Sequence, residues 1–311
     1  MDGFRKIDEQ DRWGQEEPRI QDAGPGGVVV LRSIGNPETQ DGRRIGKSFG
    51  ELEAIRLRLL DMPDLAMVRA RLLAEFPHAA AVTATLLGDL AGRPHVRLRP
   101  TLLIGRPGCG KTSFCARLLA LLGVPNRVYP CGGASDPGLA GNPRRWITGE
   151  PSLPVTLIKE FQVASPGIVL DELEKVATSR QNGSLHDALM GMLEPRSAQR
   201  WMDPYLEAEV DISNVIWLGT VNTLEGIPSP LRDRCRIVQF PDPGPEHMPV
   251  LAAALLRHAV AERGWDTAWA LPLDGVELEA LARHWPGGSL RKLARLMDGI
   301  LAARELGQGL Q

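Results

Sequence analysis

The chain has 311 residues, 43% of them hydrophobic and 24% charged, with a formal net charge of −2. This length allows about two domains with a sizeable core, and the mild acidity disfavours a protein whose main task is to hold nucleic acid. Residues 1–18 lack the apolar centre of a signal peptide, and no apolar run reaches the ~20 residues that cross a bilayer, so we expect a cytoplasmic protein without a membrane partner.

The chain before residue 99 predicts two parts. Residues 1–50 are rich in charge, Gly and Pro and predict a flexible or loosely docked N-terminal arm. Its one apolar patch, at 28–31, could be a strand that pairs with another part of the chain. Residues 51–98 predict a helical segment, which Pro63 and Pro77 divide. Its helices are expected at 51–61, 64–76 and 78–91.

Residues 99–241 alternate short apolar runs with helical stretches, which is typical of an α/β fold with a mainly parallel sheet. The five predicted strands are 101–105, 127–131, 167–170, 215–220 and 236–240. A Pro- and Gly-rich stretch at 241–245 marks a boundary, and residues 242–311 predict a small helical domain. Its helices are expected at 246–263, 275–284 and 288–305. Asp274 and Glu277 form a predicted capping box for the second of them.

A glycine-rich loop follows the first strand of the α/β region and precedes a helix, which is the Walker A pattern of P-loop NTPases. Its glycines let backbone N–H groups surround a phosphate chain, and the helix N-terminus adds its positive dipole end. Lys111 is expected to reach the β- and γ-phosphates, and the Thr112 hydroxyl to ligate Mg²⁺. A chance glycine-rich turn is the alternative, which the flanking strand and helix disfavour. The residues expected to hold ATP are Gly105, Pro107, Gly108, Cys109, Gly110, Lys111, Thr112 and Ser113.

Two adjacent carboxylates, Asp171 and Glu172, end the apolar strand that starts at residue 167, which is the Walker B arrangement. Asp171 is expected to hold Mg²⁺, and Glu172 to act as the general base for the attacking water. Such a pair is common at strand ends and is weak evidence alone. Together with the Walker A loop upstream, it becomes strong evidence for a nucleotide site.

Three further residues are candidates for the same site. Asn222 follows the strand at 215–220 and could position the attacking water, although an Asn at that point could also begin a turn. Arg234 and Arg291 could stabilise charge on the γ-phosphate, although isolated arginines more often form weak surface ion pairs.

These residues resemble an AAA+ P-loop ATPase, and specifically the ATPase module of the Lon proteases, from the Walker A loop to about residue 300. The resemblance implies that Asn222 is sensor 1, Arg234 an arginine finger acting in trans, and Arg291 the sensor 2 arginine of a small all-α lid domain. Its most specific part is an ordered series of segments at residues 170–175, 193–195, 203–206, 210–215, 221–224, 227–231 and 233–234.

The resemblance also extends to substrate handling. The segment Arg144-Arg145-Trp146-Ile147 resembles a pore loop, in which Trp146 and Ile147 would grip a protein substrate. A tryptophan there could instead simply pack, since anchoring and buried aromatic residues look alike in sequence.

The function implied is that of a homo-oligomeric ring, expected to be a hexamer, which uses ATP and Mg²⁺ to remodel or thread proteins. Two departures from Lon stand out: the chain ends at Gln311, without room for a Ser–Lys protease domain, and only about a hundred residues precede the Walker A loop. We therefore expect a stand-alone ATPase module without peptidase activity. An ATP-gated scaffold and an ATPase acting on nucleic acid stay open as alternatives.

Overall fold

The computed structural model describes residues 26–132, 136–146, 148–176, 185–264 and 271–308, with the side chains at 136–137 and 306–308 left out. Ile147, one of the two predicted pore-loop residues, lies outside the described residues. Within the described ranges, no helix combines the length and the apolar character that a membrane crossing requires.

The regular elements are numbered in chain order. The strands are β1 (Val28–Val29), β2 (Arg56–Leu57), β3 (Thr101–Ile104), β4 (Asn126–Pro130), β5 (Gly167–Asp171), β6 (Trp201–Asp203), β7 (Ala208–Val210), β8 (Ile216–Val221) and β9 (Arg236–Gln239). The helices are α1 (Gln40–Phe49), α2 (Leu65–Glu75), α3 (Ala80–Gly88), α4 (Lys111–Leu121), α5 (Asp136–Ala140), α6 (Leu153–Phe161), α7 (Leu185–Leu193), α8 (Pro195–Ala198), α9 (Ser229–Arg234), α10 (Met248–Glu262), α11 (Gly275–His284) and α12 (Leu290–Gln308).

A five-stranded sheet forms the centre of the fold, in the order β4-β5-β8-β3-β9 with every neighbouring pair parallel. The five predicted strands are confirmed, each within one residue at either end. The central strands β5 and β8 are buried along almost their whole length, because helices cover both faces of a parallel sheet. The carboxyl ends of β3, β5 and β8 therefore lie side by side at one edge, where the Walker A and Walker B residues follow.

The helical C-terminal region is also confirmed. Helices α10, α11 and α12 share a core of their own, built around Leu251, Trp285 and Leu293. At the start of α11, Asp274 accepts a hydrogen bond from the Glu277 backbone at 2.8 Å and Glu277 accepts one from the Asp274 backbone at 2.9 Å, which is the predicted capping box.

Residues 26–50 differ from the loosely docked arm predicted from composition. Strand β1 pairs antiparallel with β2, and the Val30 carbonyl accepts a hydrogen bond from the Asp211 backbone at 2.8 Å. Leu31 and Ile45 are about 1% exposed and belong to the same core cluster as the sheet. The prediction was wrong here because a few well-spaced apolar side chains find partners far along the chain, although the average composition is polar. Residues 1–25 lie outside the described part of the chain.

The helix predicted at 51–61 was wrong as well. A single 3₁₀ turn (Gly50–Leu52) is followed by Ala54 at φ 56° and then by extended chain through β2. The strand pairing with β1 and a hydrogen bond from the Ala54 backbone to the Leu31 carbonyl replace the helical pattern. Helices α2 and α3 match the two predictions that follow, and Asp64 caps α2 by accepting from the Ala66 backbone at 2.8 Å.

Candidate nucleotide-binding site

The glycine-rich loop joins the end of β3 to the start of α4, and its shape depends on glycine at two positions. Gly108 has φ 84° and Gly110 has φ 102°, in the left-handed region that L side chains rarely adopt. A Cβ atom on Gly108 would lie 2.9 Å from Ser289 Oγ, and one on Gly110 would lie 2.8 Å from Leu290 Cδ1. The loop therefore needs glycine for its backbone path, and the two close contacts show that it lies directly against the start of α12.

A backbone hydrogen bond also ties this loop to the C-terminal helices. The Leu290 backbone N–H donates to the Gly108 carbonyl at 2.8 Å, and the Trp285 indole donates to the Ser289 carbonyl at 2.8 Å. The first of these bonds joins the phosphate loop to the beginning of α12, and the second holds the residue that precedes α12.

Lys111 is the first residue of α4, and its side chain is folded under the loop. The residue is 6% exposed, and its ammonium group donates to the Gly105 carbonyl at 2.7 Å, to the Arg106 carbonyl at 2.9 Å and to Asn222 Oδ1 at 3.0 Å. All three acceptors are neutral, so an anionic phosphate oxygen reaching this point would be the stronger partner for the ammonium group.

Thr112, Asp171 and Thr220 meet at the carboxyl edge of the sheet. The Thr112 and Thr220 hydroxyls both donate to Asp171 Oδ1, at 2.5 and 2.7 Å, and the Glu172 backbone donates to Thr220 Oγ1 at 3.2 Å. This meeting brings together the two residues predicted to hold Mg²⁺, and Thr220 is a third member that the sequence reading missed. Carboxylate and hydroxyl oxygens are the ligands that Mg²⁺ prefers, so the donor set fits the ion.

Glu172 follows Asp171 with a strained backbone, at φ 54°. Its carboxylate accepts a hydrogen bond from Lys175 at 2.7 Å, three residues on, and the Glu172 side chain is 33% exposed. The carboxylate therefore keeps contact with solvent beside the sheet edge, where a water molecule can reach it.

These groups line a cavity of about 680 Å³, which is within the range of small-molecule sites. The lining is mixed. Its polar part comes from the phosphate loop, the carboxylates, Asn222 and Arg291, together with Glu75, Arg117, Arg257 and His258. The apolar lining comes from Phe76, Leu251, Ala254, Leu255 and Leu290. A ligand that carries both charged groups and a flat apolar ring, such as a purine nucleotide, matches this mixed lining.

The two predicted arginines lie in different places. Arg291 lines the cavity next to the phosphate loop. Arg234, at the end of α9, lies outside it and forms an ion pair with Glu194 at 3.6 Å. Of the two, only Arg291 is brought to the phosphate loop of its own chain.

Two features near the cavity had no signal in the sequence. Arg117 on α4 donates to both oxygens of Glu75 on α2 at 2.6 to 3.0 Å, and both residues line the cavity. Beneath the loop, His78 Nε2 lies 3.2 Å from the Cys109 carbonyl. Burial lowers the pKa of His78 and raises the pKa of the Cys109 thiol, so both side chains are held in their neutral forms. These contacts join residues that are 31 and 42 positions apart, which no local motif could reveal.

The loop that carries Trp146 lies outside the cavity. Trp146 is 53% exposed, so its ring is not packed into the core of its own chain. The neighbouring Arg144 is 6% exposed and donates to the Gly35 carbonyl at 3.0 Å and to the Glu207 carboxylate. A buried anchor from two distant segments therefore holds the base of a loop that presents an exposed tryptophan.

Comparisons with known proteins agree with this geometry. The family model described as "ATPase family associated with various cellular activities (AAA)" matches residues 101–242. A Lon protease of Methanosphaera stadtmanae is 36% identical over 140 residues, which is 45% of this chain and 17% of that protein. The peroxisomal Lon protease homolog 2 of Spinacia oleracea is 32% identical over 245 residues, 77% of this chain and 28% of that protein. The chain thus spans less than a third of the length of either relative.

The fold resembles a cryo-EM reconstruction of the closed state of Hsp104 with ATPγS and FITC casein. The TM-score is 0.60 at 17% sequence identity, over 78% of this chain and 48% of the Hsp104 chain. At this identity the likeness concerns the fold alone.

Proposed function

Because residues 101–242 form an AAA ATPase domain related to that of the Lon proteases, we propose that this chain binds ATP in the cavity beside Lys111 and hydrolyses it to ADP and phosphate. The observation that carries the proposal is the convergence of Lys111, Asp171, Glu172 and Asn222 at one sheet edge, next to a cavity of nucleotide size.

Each of these side chains has a chemical task in the proposed reaction. Lys111 exchanges its carbonyl acceptors for oxygens of the β- and γ-phosphates, and Asn222 hydrogen-bonds the attacking water. Glu172 accepts the proton of that water as the water oxygen bonds to the γ-phosphorus and ADP departs. Thr112 and Asp171 would hold Mg²⁺, which supplies positive charge to the phosphate oxygens when bound. Arg291 adds a second cation on the side of α12.

The position of Arg234 supports a proposed ring of identical subunits. It lies outside its own cavity, so it would reach a γ-phosphate from the neighbouring subunit, as an arginine finger does. We propose a homo-oligomeric ring, with a hexamer as the expected form, in which each nucleotide lies at a subunit interface.

Proteins are the proposed substrates of this ring, and the cytoplasm is the proposed location. The relatives described above are Lon proteases, and the substrates of a protease are proteins. The exposed Trp146, presented by an anchored loop, suits contact with an extended polypeptide, because an aromatic ring supplies a large apolar surface that loses little entropy when bound.

The test of ATP hydrolysis is the phosphate release rate of the wild type, Glu172→Gln and Glu225→Gln. Glu225 is an exposed carboxylate at the same sheet edge and serves as the control. We expect Glu172→Gln to lower kcat by at least about 100-fold while ADP affinity stays close to that of the wild type, since a general base contributes a factor of this size. Equal rates in all three proteins would refute the assigned mechanism.

A further inference from the structure

We propose that Glu174 is a positioning residue for hydrolysis, which fixes the side-chain amide of Asn222 so that Oδ1, and not Nδ2, faces the attacking water. This inference rests on the proposed function, because it assigns a partner to the residue that holds the water. Its basis is a chain of hydrogen bonds, from Lys111 through Asn222 to Glu174.

The chemistry of the two neighbours determines the orientation of the amide. The oxygen and nitrogen of an Asn side chain have nearly the same shape, so only the hydrogen-bond partners distinguish them. Lys111 Nζ can only donate, and it lies 3.0 Å from the Asn222 oxygen. The Glu174 carboxylate can only accept when ionised, and its Oε1 lies 2.7 Å from the Asn222 nitrogen. If the amide were flipped, its N–H₂ group would face the Lys111 ammonium group, which is also a donor. Its oxygen would face the Glu174 carboxylate, which is also an acceptor.

Glu174 lies close to both groups that are proposed to contact the attacking water, Glu172 and Asn222. It belongs to the 3₁₀ turn Leu173–Lys175, which Glu172 directly precedes, so the proposed base and the residue that orients Asn222 are only two positions apart. Glu174 Oε2 is buried and has no hydrogen-bond partner among the described residues, so the bond from Asn222 to Oε1 is the contact recorded for this carboxylate. A partly buried carboxylate with one free oxygen costs folding free energy, and the bond to Asn222 gives a functional reason to keep it.

The orientation has a consequence for the water molecule. When Lys111 turns to a phosphate oxygen, Asn222 Oδ1 is left facing the cavity with a free lone pair, while Nδ2 stays on Glu174. The attacking water then donates one hydrogen bond to Asn222 Oδ1 and gives its other proton to Glu172, which leaves an oxygen lone pair for the γ-phosphorus. The O–P bond forms, the bond between the γ-phosphorus and the β–γ bridging oxygen breaks, and ADP leaves. An unrestrained amide would spend part of its time presenting Nδ2–H, which cannot accept from water.

The first experiment measures kcat, the KM for ATP and the affinity for a fluorescent ADP in the wild type, Glu174→Ala and Glu225→Ala. We expect Glu174→Ala to lower kcat by about 10- to 100-fold, a typical effect of misplacing a reacting group by about 1 Å. ADP affinity stays near the wild-type value, because Glu174 does not line the cavity. A wild-type kcat in Glu174→Ala overturns the proposal, and so does a loss of ADP affinity equal to the loss of kcat.

The second experiment reverses which residue donates and which accepts in the bond between positions 222 and 174. It separates a positioning role from a loss of activity caused by disrupted folding. Asn222→Asp places a carboxylate against Glu174, and adding Glu174→Gln restores a donor–acceptor pair with reversed polarity. We expect the double variant to be about tenfold faster than Asn222→Asp alone, a coupling within the range measured for contacting residues. A double variant no faster than Asn222→Asp contradicts the proposal.

The failure of this proposal is distinguishable from the failure of the proposed function. If the wild type hydrolyses ATP and Glu172→Gln does not, the function stands whatever the Glu174 variants do. If the wild type has no ATPase activity, both proposals fall together.

Discussion

The phosphate-binding edge and the Trp146 loop both present a side chain for work at the surface, yet they are held in different ways. At the sheet edge, the backbone of the six-residue loop between β3 and α4 and the ends of neighbouring strands place Lys111 and Asp171. At the Trp146 loop, the anchor is Arg144, whose partners Gly35 and Glu207 lie 109 and 63 positions away. In the first arrangement each side chain belongs to a short motif that the sequence shows, although the motifs meet only through the sheet. In the second, the anchor belongs to no local motif and forms only once distant segments have docked.

The largest expected effect tests the locally built site. Lys111→Ala removes the cation from the loop, and we expect hydrolysis to fall by about 10²- to 10³-fold, because stabilisation of transferring phosphate charge is lost. ATP should raise the melting temperature of the wild type and of the exposed-site control Lys47→Ala, since a ligand that binds only the folded state stabilises it, but not that of Lys111→Ala. Equal thermal shifts in all three would remove Lys111 from the site.

The second prediction tests the long-range anchor. Arg144→Ala leaves the Gly35 carbonyl and Glu207 without this partner, and we expect the free energy of unfolding to fall by about 1–3 kcal/mol. The exposed neighbour Arg145 offers a matched control, whose Ala variant should stay within about 0.5 kcal/mol of the wild type. Chemical denaturation measures both. If the two variants unfold alike, the Trp146 loop does not depend on this anchor.

The third prediction concerns pH at the contact beneath the phosphate loop. Burial lowers the pKa of His78 below its ordinary value of 6.5, so the unfolded chain takes up the proton first as the pH falls. The contribution of His78 to stability is therefore present above that value and is lost as the pH falls below it, by at most about 1.4 kcal/mol per pH unit for one proton.

Denaturant unfolding at several pH values between about 7.5 and 5.5 gives the measurement. His78→Gln should show a weaker loss of stability on acidification than the wild type, whereas the exposed His284→Gln should follow the wild type. The other titratable groups that face His78 are His247, whose ring lies 5.9 Å from that of His78, and Asp242, and both are retained in the two variants. An unchanged pH dependence in His78→Gln contradicts the expected titration.

The smallest expected effect on stability belongs to Trp146→Ala. Because the ring is 53% exposed, its removal should change the free energy of unfolding by no more than about 0.5 kcal/mol and should leave basal hydrolysis intact. For the proposed protein-threading ring, we expect an unfolded protein such as casein to stimulate hydrolysis by the wild type, and Trp146→Ala to lose this stimulation. A variant that keeps both activities in full would favour a scaffold over a threading ring.

The same contrast explains how much could be predicted from the sequence. The five strands, the Walker A loop and the adjacent carboxylates Asp171 and Glu172 could be predicted from the sequence. Strand runs and phosphate loops are short patterns of neighbouring residues. Thr220, Glu174 and the Glu75–Arg117 pair were missed, because their side-chain contacts cross the fold and leave no local pattern. The close docking of residues 26–50 and the partners of the patch at 28–31 were missed for the same reason, since the burial of Leu31 requires strand β7 about 180 residues later.

The contact between the Gly108 carbonyl and the Leu290 backbone has a thermodynamic consequence. Because the phosphate loop and helix α12 share a hydrogen bond, a rotation of the C-terminal helices changes the backbone that would surround a phosphate chain. The affinity for a nucleotide and the orientation of these helices would then be linked, and such linkage is reciprocal. If a bound nucleotide favours one helix orientation by a given factor, the protein held in that orientation binds the nucleotide more tightly by the same factor. A neighbouring molecule that binds α12 and fixes its orientation would therefore change the affinity of the cavity for a nucleotide without contacting the cavity.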